Sequence, residues 1–315
     1  MKIGIIGSGA MGSVYGALLA AAGNELWLFD KWQEHVDAMR AHGLRCTGAS
    51  GDRTVPVNAT AEAAEAGPCE LVVVATKVMD IESGVRAAGP MIGPETVILT
   101  IQNGLGNVER IQRVLSPERL LFGIAGGFGA EIQAPGHVHH NGMEAINLAE
   151  LEGGITPRLE RVAEVWRQAG FKTAVFEDLW PVVWSKLIAN VAFSAVCAAL
   201  GMRVGQARAN PWAWGMARAC INEAAAVAAA KGIELAYDDP VQWVWEFAGK
   251  IPNARPSMYQ DLLAGRRSEI DSIHGGVVAE GAKVGVPTPT CAFMVELIKA
   301  LEAKRQAHGD TYRAL

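Results

Sequence analysis

Lys2-Ile3-Gly4-Ile5-Ile6-Gly7-Ser8-Gly9-Ala10-Met11-Gly12 opens the chain with a short apolar strand that runs directly into G-x-G-x-x-G. A small-residue helix over Val14 to Ala22 follows, and an acid, Asp30, closes the next apolar run. Each glycine has its own task in such a turn. Gly7 permits the tight turn, Gly9 lets the backbone approach a pyrophosphate, and Gly12 lets helix and strand pack closely. Amides around Ser8, Ala10 and Met11, at the start of the helix, are placed to attract phosphates. A bare glycine pattern also occurs in ordinary turns. Here the strand before it, the helix after it and the acid beyond it supply the context of a dinucleotide site.

Strand and helix patterns alternate through the first half. Ile3–Ile6, Glu25–Phe29, Leu71–Ala75, Val97–Ile101 and Leu120–Ala125 are short aliphatic runs. Helical patterns containing Val14–Ala22, His35–His42, Glu82–Ala88 and Val108–Val114 lie between them. Apolar strands separated by helices predict a parallel sheet covered on both faces. Residues 131–148 read as an extended, antiparallel addition, followed by a helix over Pro157–Gly170 and a strand over Lys172–Phe176. From Asp178 onward only long helical patterns remain: Leu179–Leu200, Pro211–Lys231, Pro240–Gly249, Ile270–Val284 and Thr290–Arg305. The expected organisation is an α/β chain: a Rossmann-type dinucleotide-binding domain over 1–177 and an all-helical substrate and catalytic domain over 178–315.

Half of the 315 residues are hydrophobic, 19% are charged and the net charge is −5. That balance argues against nucleic acid or an anionic membrane as partner, because both need clustered cations. Arg266-Arg267 is the notable basic pair, and it suits a surface or an acidic ligand. Five scattered cysteines without C-x-x-C spacing read as reduced thiols of a cytosolic protein. His137-x-His139-His140 resembles a ligand cluster, but alternation on a strand puts His140 on the face opposite the other two, and no metal is expected. No run of about 18 apolar residues suggests a membrane span. The N-terminus begins a strand at once, so no signal peptide is expected. Together these point to a soluble cytoplasmic protein with a small-molecule partner.

Ligands of open α/β sheets sit beyond the carboxyl ends of the strands. One strand delivers Thr76-Lys77 there and the next delivers Gln102-Asn103-Gly104. Lys77 suits a cofactor phosphate or a substrate carboxylate, and Asn103 a ligand contact; a solvated lysine and an ordinary Asn-Gly turn are the plainer alternatives. In Trp184-Ser185-Lys186-Leu187-Ile188-Ala189-Asn190, Lys186 and Asn190 are one helical turn apart and share a face amid apolar neighbours. Such a lysine either snorkels to the surface or has a task, with desolvation lowering its pKa. A third group is Ser257-Met258-x-x-Asp261 with Ser268-Glu269-Ile270-Asp271. In one unbroken helix Ser257 and Glu269 would stand about 18 Å apart. Ser257-x-x-Gln260 and Ser268-x-x-Asp271 both read as capping boxes with Gly265 between them, so two helix starts are expected and the two residues can converge. Helix-end duty alone is the competing reading.

The chain resembles the ketopantoate reductase (2-dehydropantoate 2-reductase) family over essentially its full length. The resemblance rests on Gly7-x-Gly9-x-x-Gly12, Thr76-Lys77, Gln102-Asn103-Gly104, Trp184-x-Lys186-Leu187-x-x-Asn190, Ser257-Met258-x-x-Asp261 and Ser268-Glu269-Ile270-Asp271. It implies a Rossmann domain followed by a helical one, and the reduction of 2-dehydropantoate to (R)-pantoate, a step of pantothenate biosynthesis, with a nicotinamide cofactor. By position, Lys186 matches the catalytic lysine that protonates the carbonyl oxygen as hydride arrives, and Glu269 the acid that helps hold the site. Asn103, Asn190 and Ser257 match substrate-binding residues, and Lys77 a residue near cofactor and substrate.

Three positions depart from that pattern. Ser194 stands where a second asparagine is usual, so one substrate hydrogen bond is altered. Within 143–150 some usual glycines are replaced, Ala149 among the replacements. Family members typically use NADPH and carry an arginine where this chain has Lys31, preceded by Asp30. Asp30 favours the ribose 2′-hydroxyl of NAD(H), whereas Lys31 and the family habit favour NADP(H). Other readings are an NAD-dependent 2-hydroxy-acid dehydrogenase of the same family acting on another substrate, a β-hydroxyacid dehydrogenase, and a catalytically idle dinucleotide-binding protein. Trp212, Trp214, Trp243 and Trp245 line either a homodimer interface or a core.

Overall fold

The structure is a computed structural model that describes residues 1–127, 129–142 and 145–308. The chain forms two compact units, one of Met1–Gln102 with Asn107–Leu179, the other of Asn103–Gly106 with the residues from Trp180 onward.

In the first unit β1 (Lys2–Ile6), α1 (Ala10–Ala21), β2 (Glu25–Phe29) and α2 (Gln33–His42) come first, then β3 (Leu44–Gly48), β4 (Arg53–Val55), β5 (Asn58–Thr60) and α3 (Ala63–Ala66). There follow β6 (Cys69–Val74), α4 (Ile81–Ala87), β7 (Ile92–Thr100), α5 (Asn107–Gln112) and β8 (Leu120–Gly126). β9 (Gly129–Ala134), β10 (His137–Gly142), β11 (Ala145–Glu150), α6 (Pro157–Gln168) and β12 (Thr173–Phe176) complete it. The main sheet has the order β12-β11-β8-β7-β6-β1-β2-β5, parallel from β5 to β8, with β11 antiparallel to β8. Its central strands are buried on both faces, which is why Val72–Val74 needs no polar alternation.

A second sheet, β4-β3-β10-β9, was not legible in the sequence. Its strands are short and mixed in polarity, and β10 pairs in parallel with β3 from far away in the chain. The extended segment expected over 131–148 is therefore divided: β9 and β10 join the small sheet and β11 the large one. Met143 and Glu144 lie outside the described residues. α1 packs on β2 and also on β3, β4, β9 and β10, so it runs between the two sheets. Every residue from Gly12 to Leu19 is buried, and this explains why the helix is apolar or small all round rather than on one stripe. His137 and His139 both reach Thr47 Oγ1, at 3.2 and 3.0 Å, while His140 Nδ1 meets Ser50 Oγ at 3.0 Å.

The second unit is mostly helical: α7 (Trp180–Leu200), α8 (Val204–Ala209), α9 (Pro211–Ala230), α10 (Pro240–Lys250), α11 (Ser257–Leu263), α12 (Ile270–Val284) and α13 (Pro289–His308). α7 is its axis, packed on α9, α11, α12 and α13. Against the expectation that no segment suggests a span, α7 is long and apolar enough to cross a membrane by length and composition, but most of it is buried within the fold, as in a core helix. Of the tryptophans, Trp214 packs between Phe193 and Trp245, Trp243 between Tyr237 and Phe247, and Trp212 is 82% exposed.

Two helices do start where Ser257 and Glu269 fall, separated by Gly265 at φ +67, but the expected capping boxes are absent. Pro256 and Glu269 occupy the cap positions, and neither provides a side-chain cap. The partners of the proposed boxes are engaged elsewhere: Gln260 donates to the Arg255 carbonyl, while Asp271 pairs with Lys299 and Arg267. Arg266 likewise pairs with Asp261, at 3.0 Å.

The glycines of the first turn differ sharply in what a methyl group would meet. A Cβ on Gly12 would lie 2.0 Å from the Gly7 carbonyl oxygen, whereas one on Gly9 would have nothing within 4 Å. Gly12→Ala is therefore expected to cost about 1–3 kcal/mol or more of stability through overpacking. Gly9→Ala should leave the melting temperature unchanged and weaken dinucleotide binding. Thermal melts together with cofactor titration of the two variants check the contrast.

Candidate active site

The α/β unit presents a loop built to meet a phosphate. Gly7 holds φ +88, and a Cβ there would stand 2.9 Å from the Thr76 backbone, so the segment that carries Lys77 lies against the glycine turn. Gly9 caps α1 without any side-chain hydrogen bond, and no acid sits in the first turn. Free first-turn amides and the open space at Gly9 fit a pyrophosphate. Asp30 braces this loop: Oδ2 accepts from the Ser8 amide at 2.7 Å and from Ser8 Oγ at 3.2 Å, and Oδ1 accepts from the Trp32 amide at 3.0 Å. Lys31 is largely exposed, its Nζ 3.3 Å from Asp80 Oδ1. Lys77 begins the short 3-10 turn Val78–Asp80. Ala10 and Met11 form the first positions of α1.

The helical unit holds the lysine. Lys186 lies on α7, and its Nζ donates to Asn103 Oδ1 at 2.7 Å. Burial is the largest influence on this ammonium and pulls its pKa down to about 8, while the negative charge of Glu269 pushes the other way. A drop of that size from 10.5 corresponds to roughly 3 kcal/mol in favour of the neutral amine. Lys186 thus does not snorkel away.

The group is held by backbone geometry that the sequence did not announce. Gly104, at φ +80, leaves no room for a Cβ, which would fall 2.5 Å from the Ser272 carbonyl oxygen. The Leu105 amide donates to that same carbonyl at 2.8 Å, fixing the Asn103 turn on α12. The Ser272 amide and hydroxyl in turn donate to the Glu269 carbonyl. His274 on α12 donates from Nε2 to the Val191 carbonyl of α7 at 3.0 Å, tying the helix of the acid to the helix of the lysine. Ser272 and His274 had no motif to mark them; the glycine after Asn103 was the available hint.

The remaining expected residues are spread along these helices. Asn190 follows Lys186 by one turn of α7 and is partly exposed, whereas Ser194, a turn further on, is buried. Ser257 is exposed at the first position of α11, which packs on α7. The structure thus gathers Lys186, Asn103 and Glu269 in one unit, and the glycine turn, Asp30 and the Thr76-Lys77 segment in the other.

Comparison with known proteins shows the family. Residues 3–153 match the family model for ketopantoate reductase PanE/ApbA, and residues 178–302 match its C-terminal counterpart. The chain belongs to the ketopantoate reductase family. A 2-dehydropantoate 2-reductase of Streptococcus pyogenes is 32% identical over 310 residues, covering 96% of this chain and 98% of that protein. One from Pyrococcus abyssi is 31% identical over 303 residues, with the same coverage. Among solved structures, a PanE/ApbA family ketopantoate reductase from Ralstonia eutropha superposes with a TM-score of 0.89 at 30% identity, covering 97% of this chain and 100% of that one. D-mandelate dehydrogenase with NADH and anilino(oxo)acetate gives 0.89 at 29% identity and the same coverage. The chain is accordingly an NAD(P)-dependent oxidoreductase of the 2-dehydropantoate 2-reductase type, acting on CH–OH groups.

The site makes two measurable statements. Lys186→Met should retain the fold, and its stability relative to the parent should be greatest below pH 8. The unfolded lysine binds the extra proton between about 8 and 10.5, so the parent gains stability across that window and the difference closes. Denaturant melts from pH 7 to 10 check this. Glu269→Gln removes the influence that raises the Lys186 pKa, so the alkaline limb of the reductive pH profile should move to lower pH. A collapse of the melting temperature without that move would reduce Glu269 to a helix-end residue.

Proposed function

We propose that the protein reduces a small branched 2-oxo acid to its 2-hydroxy acid, with 2-dehydropantoate as the leading substrate and (R)-pantoate as the product. The observation that carries this is the half-buried Lys186 ammonium, hydrogen-bonded to Asn103 and held near a pKa of 8 by desolvation. Bound nicotinamide supplies the hydride. As negative charge grows on the carbonyl oxygen, Lys186 stabilises it and delivers a proton from Nζ. Asn103 keeps that ammonium oriented, and Glu269 favours its reprotonation from water. Asn190, Ser194 and Ser257 bind the substrate's polar groups. Gly7, Ser8, Gly9, Ala10, Met11 and Gly12 take the pyrophosphate, with Lys77 and Asn103 at the cofactor as well. Residues 1–177 thus serve dinucleotide binding, and residues 178–315 serve substrate and catalysis.

For the cofactor we propose NADH over NADPH. A 2′-phosphate would meet the charges of Asp30 and Asp80, and the Lys31 ammonium beside them is already engaged by Asp80. A second substrate reading has its own support. Tyr237, Trp243 and Phe247 stack in a half-buried ladder, at 4.4 and 5.5 Å between ring centroids, and Tyr237 donates to the Ser185 carbonyl beside Lys186. With D-mandelate dehydrogenase among the similar structures, a 2-oxo acid bearing a phenyl group is the alternative.

A panel of 2-oxo and 2-hydroxy acids assayed with each cofactor tests the reading. Turnover of 2-dehydropantoate should exceed that of phenylglyoxylate, and the reverse order would establish the second reading. Lys186→Ala should lower kcat by about 10²–10⁴-fold with the cofactor Kd unchanged, and retained turnover would remove the proton-donor role. NADH should outperform NADPH, and Asp30→Asn, which keeps an acceptor for Ser8 but loses the charge, should narrow the gap. A strong NADPH preference in the parent refutes the assignment of Asp30.

A further inference from the structure

Trp32 is a large aromatic residue left 37% exposed at the end of β2, directly after Asp30-Lys31. Among the described residues of the α/β unit, Ile155 is the other large hydrophobic side chain that is similarly exposed. We propose that Trp32, lying flat on His35, is the stacking platform for the purine ring of the dinucleotide; this rests on the nicotinamide-cofactor reading above.

The indole and imidazole planes are 8° apart, with centroids at 4.8 Å. His35 is wholly buried and stacked on the indole, so it covers one face of that ring while 37% of Trp32 stays exposed. The platform is fixed before any ligand arrives. His35 Nδ1 accepts from the Gly136 amide at 2.9 Å, and its Nε2 donates to Ser13 Oγ at 3.2 Å. Ser13 Oγ donates onward to the Ser8 carbonyl at 2.6 Å. This pattern demands a neutral imidazole, and burial lowers the His35 pKa although Asp30 opposes it. The Trp32 amide is held by the same Asp30 carboxylate that accepts from the Ser8 amide.

Ser8 thus stands at both ends of a closed circuit, through Asp30 to Trp32 and through Ser13 to His35. A pyrophosphate at the glycine turn leads the adenosine half toward the acid that closes β2, where its ribose is read. Trp32 is the next residue but one, and it offers a flat, apolar ring that is partly exposed. Stacking of a base on such a ring is tolerant of base identity, so the position of Trp32, beside the acid that reads the adenosine ribose, is what assigns it to the purine end of the dinucleotide.

The test uses the full-length protein with Trp32→Leu, which still covers His35 with apolar surface but offers no ring, and Trp32→Phe, which keeps one. Titration calorimetry with NADH, AMP and nicotinamide mononucleotide reads the effect. Trp32→Leu should weaken NADH and AMP by about five- to hundredfold and leave the mononucleotide unchanged, with Trp32→Phe recovering part of the loss. AMP should quench tryptophan fluorescence in the parent and not in Trp32→Leu. Dinucleotide binding that ignores Trp32→Leu, or equal losses for AMP and the mononucleotide, overturns the platform alone. A parent protein that binds neither NADH nor NADPH overturns the cofactor reading, and the platform with it.

Discussion

The bond from Lys186 Nζ to Asn103 Oδ1 is the interaction on which the helical unit is organised. Burying an ammonium among apolar helix faces is unfavourable unless a well-placed acceptor meets it. Asn103 meets this need without a full counter-charge. A carboxylate at that position would hold the proton tightly and carry the pKa back up; an amide oxygen orients the donor and leaves the proton transferable. Everything that fixes Asn103 therefore serves the lysine. The Gly104 turn exists because the Ser272 carbonyl occupies the space a side chain would need, and the Leu105 amide ends on that carbonyl. Glu269 begins the same helix, so the acceptor and the opposing charge are set by one rigid element.

The α/β unit solves a different problem, holding a loop of small residues still without side chains to pack. Its answer is to bury the helix that follows. α1 runs between two sheets, and Gly12 brings it into contact with the Gly7 carbonyl. Asp30 and Ser13 then fasten Ser8 from either side. Gly9, whose space is open, is where a ligand can approach the backbone most closely. A phosphate site of this kind depends on backbone amides that do not move, and the packing of the apolar helix supplies that stillness.

What the sequence disclosed follows from the range of the forces involved. The glycine turn, the parallel strands and the long helices rest on local periodicity, and all were legible. So was the pairing of Lys186 with Asn190 on one face, since helix geometry fixes it. The small sheet was not, because β3 and β10 meet across a long stretch of chain and neither is apolar enough to announce a strand. The capping boxes failed for a related reason. Gln260 and Asp271 have the right spacing, but tertiary partners claim both side chains, Arg255 in one case and Lys299 with Arg267 in the other. Asp30 was read as a ribose ligand, yet its bonds to Ser8 and Trp32 give it a structural duty as well, one that no motif encodes.

The choice of lysine follows from the pKa the site imposes. An arginine in the same place would keep its proton throughout the accessible pH range and could stabilise an alkoxide but not neutralise it. A histidine that had lost as much to burial would be neutral at physiological pH and have no proton to give. Lysine begins high enough to lose this much and still be mostly charged at neutral pH, with its pKa at about 8. Reduction uses the ammonium and oxidation of the hydroxy acid the amine, so a group poised there can serve either direction. Glu269 shifts where that balance falls, because its charge resists the pull of desolvation, and a neutral group in its place would move the site toward the amine.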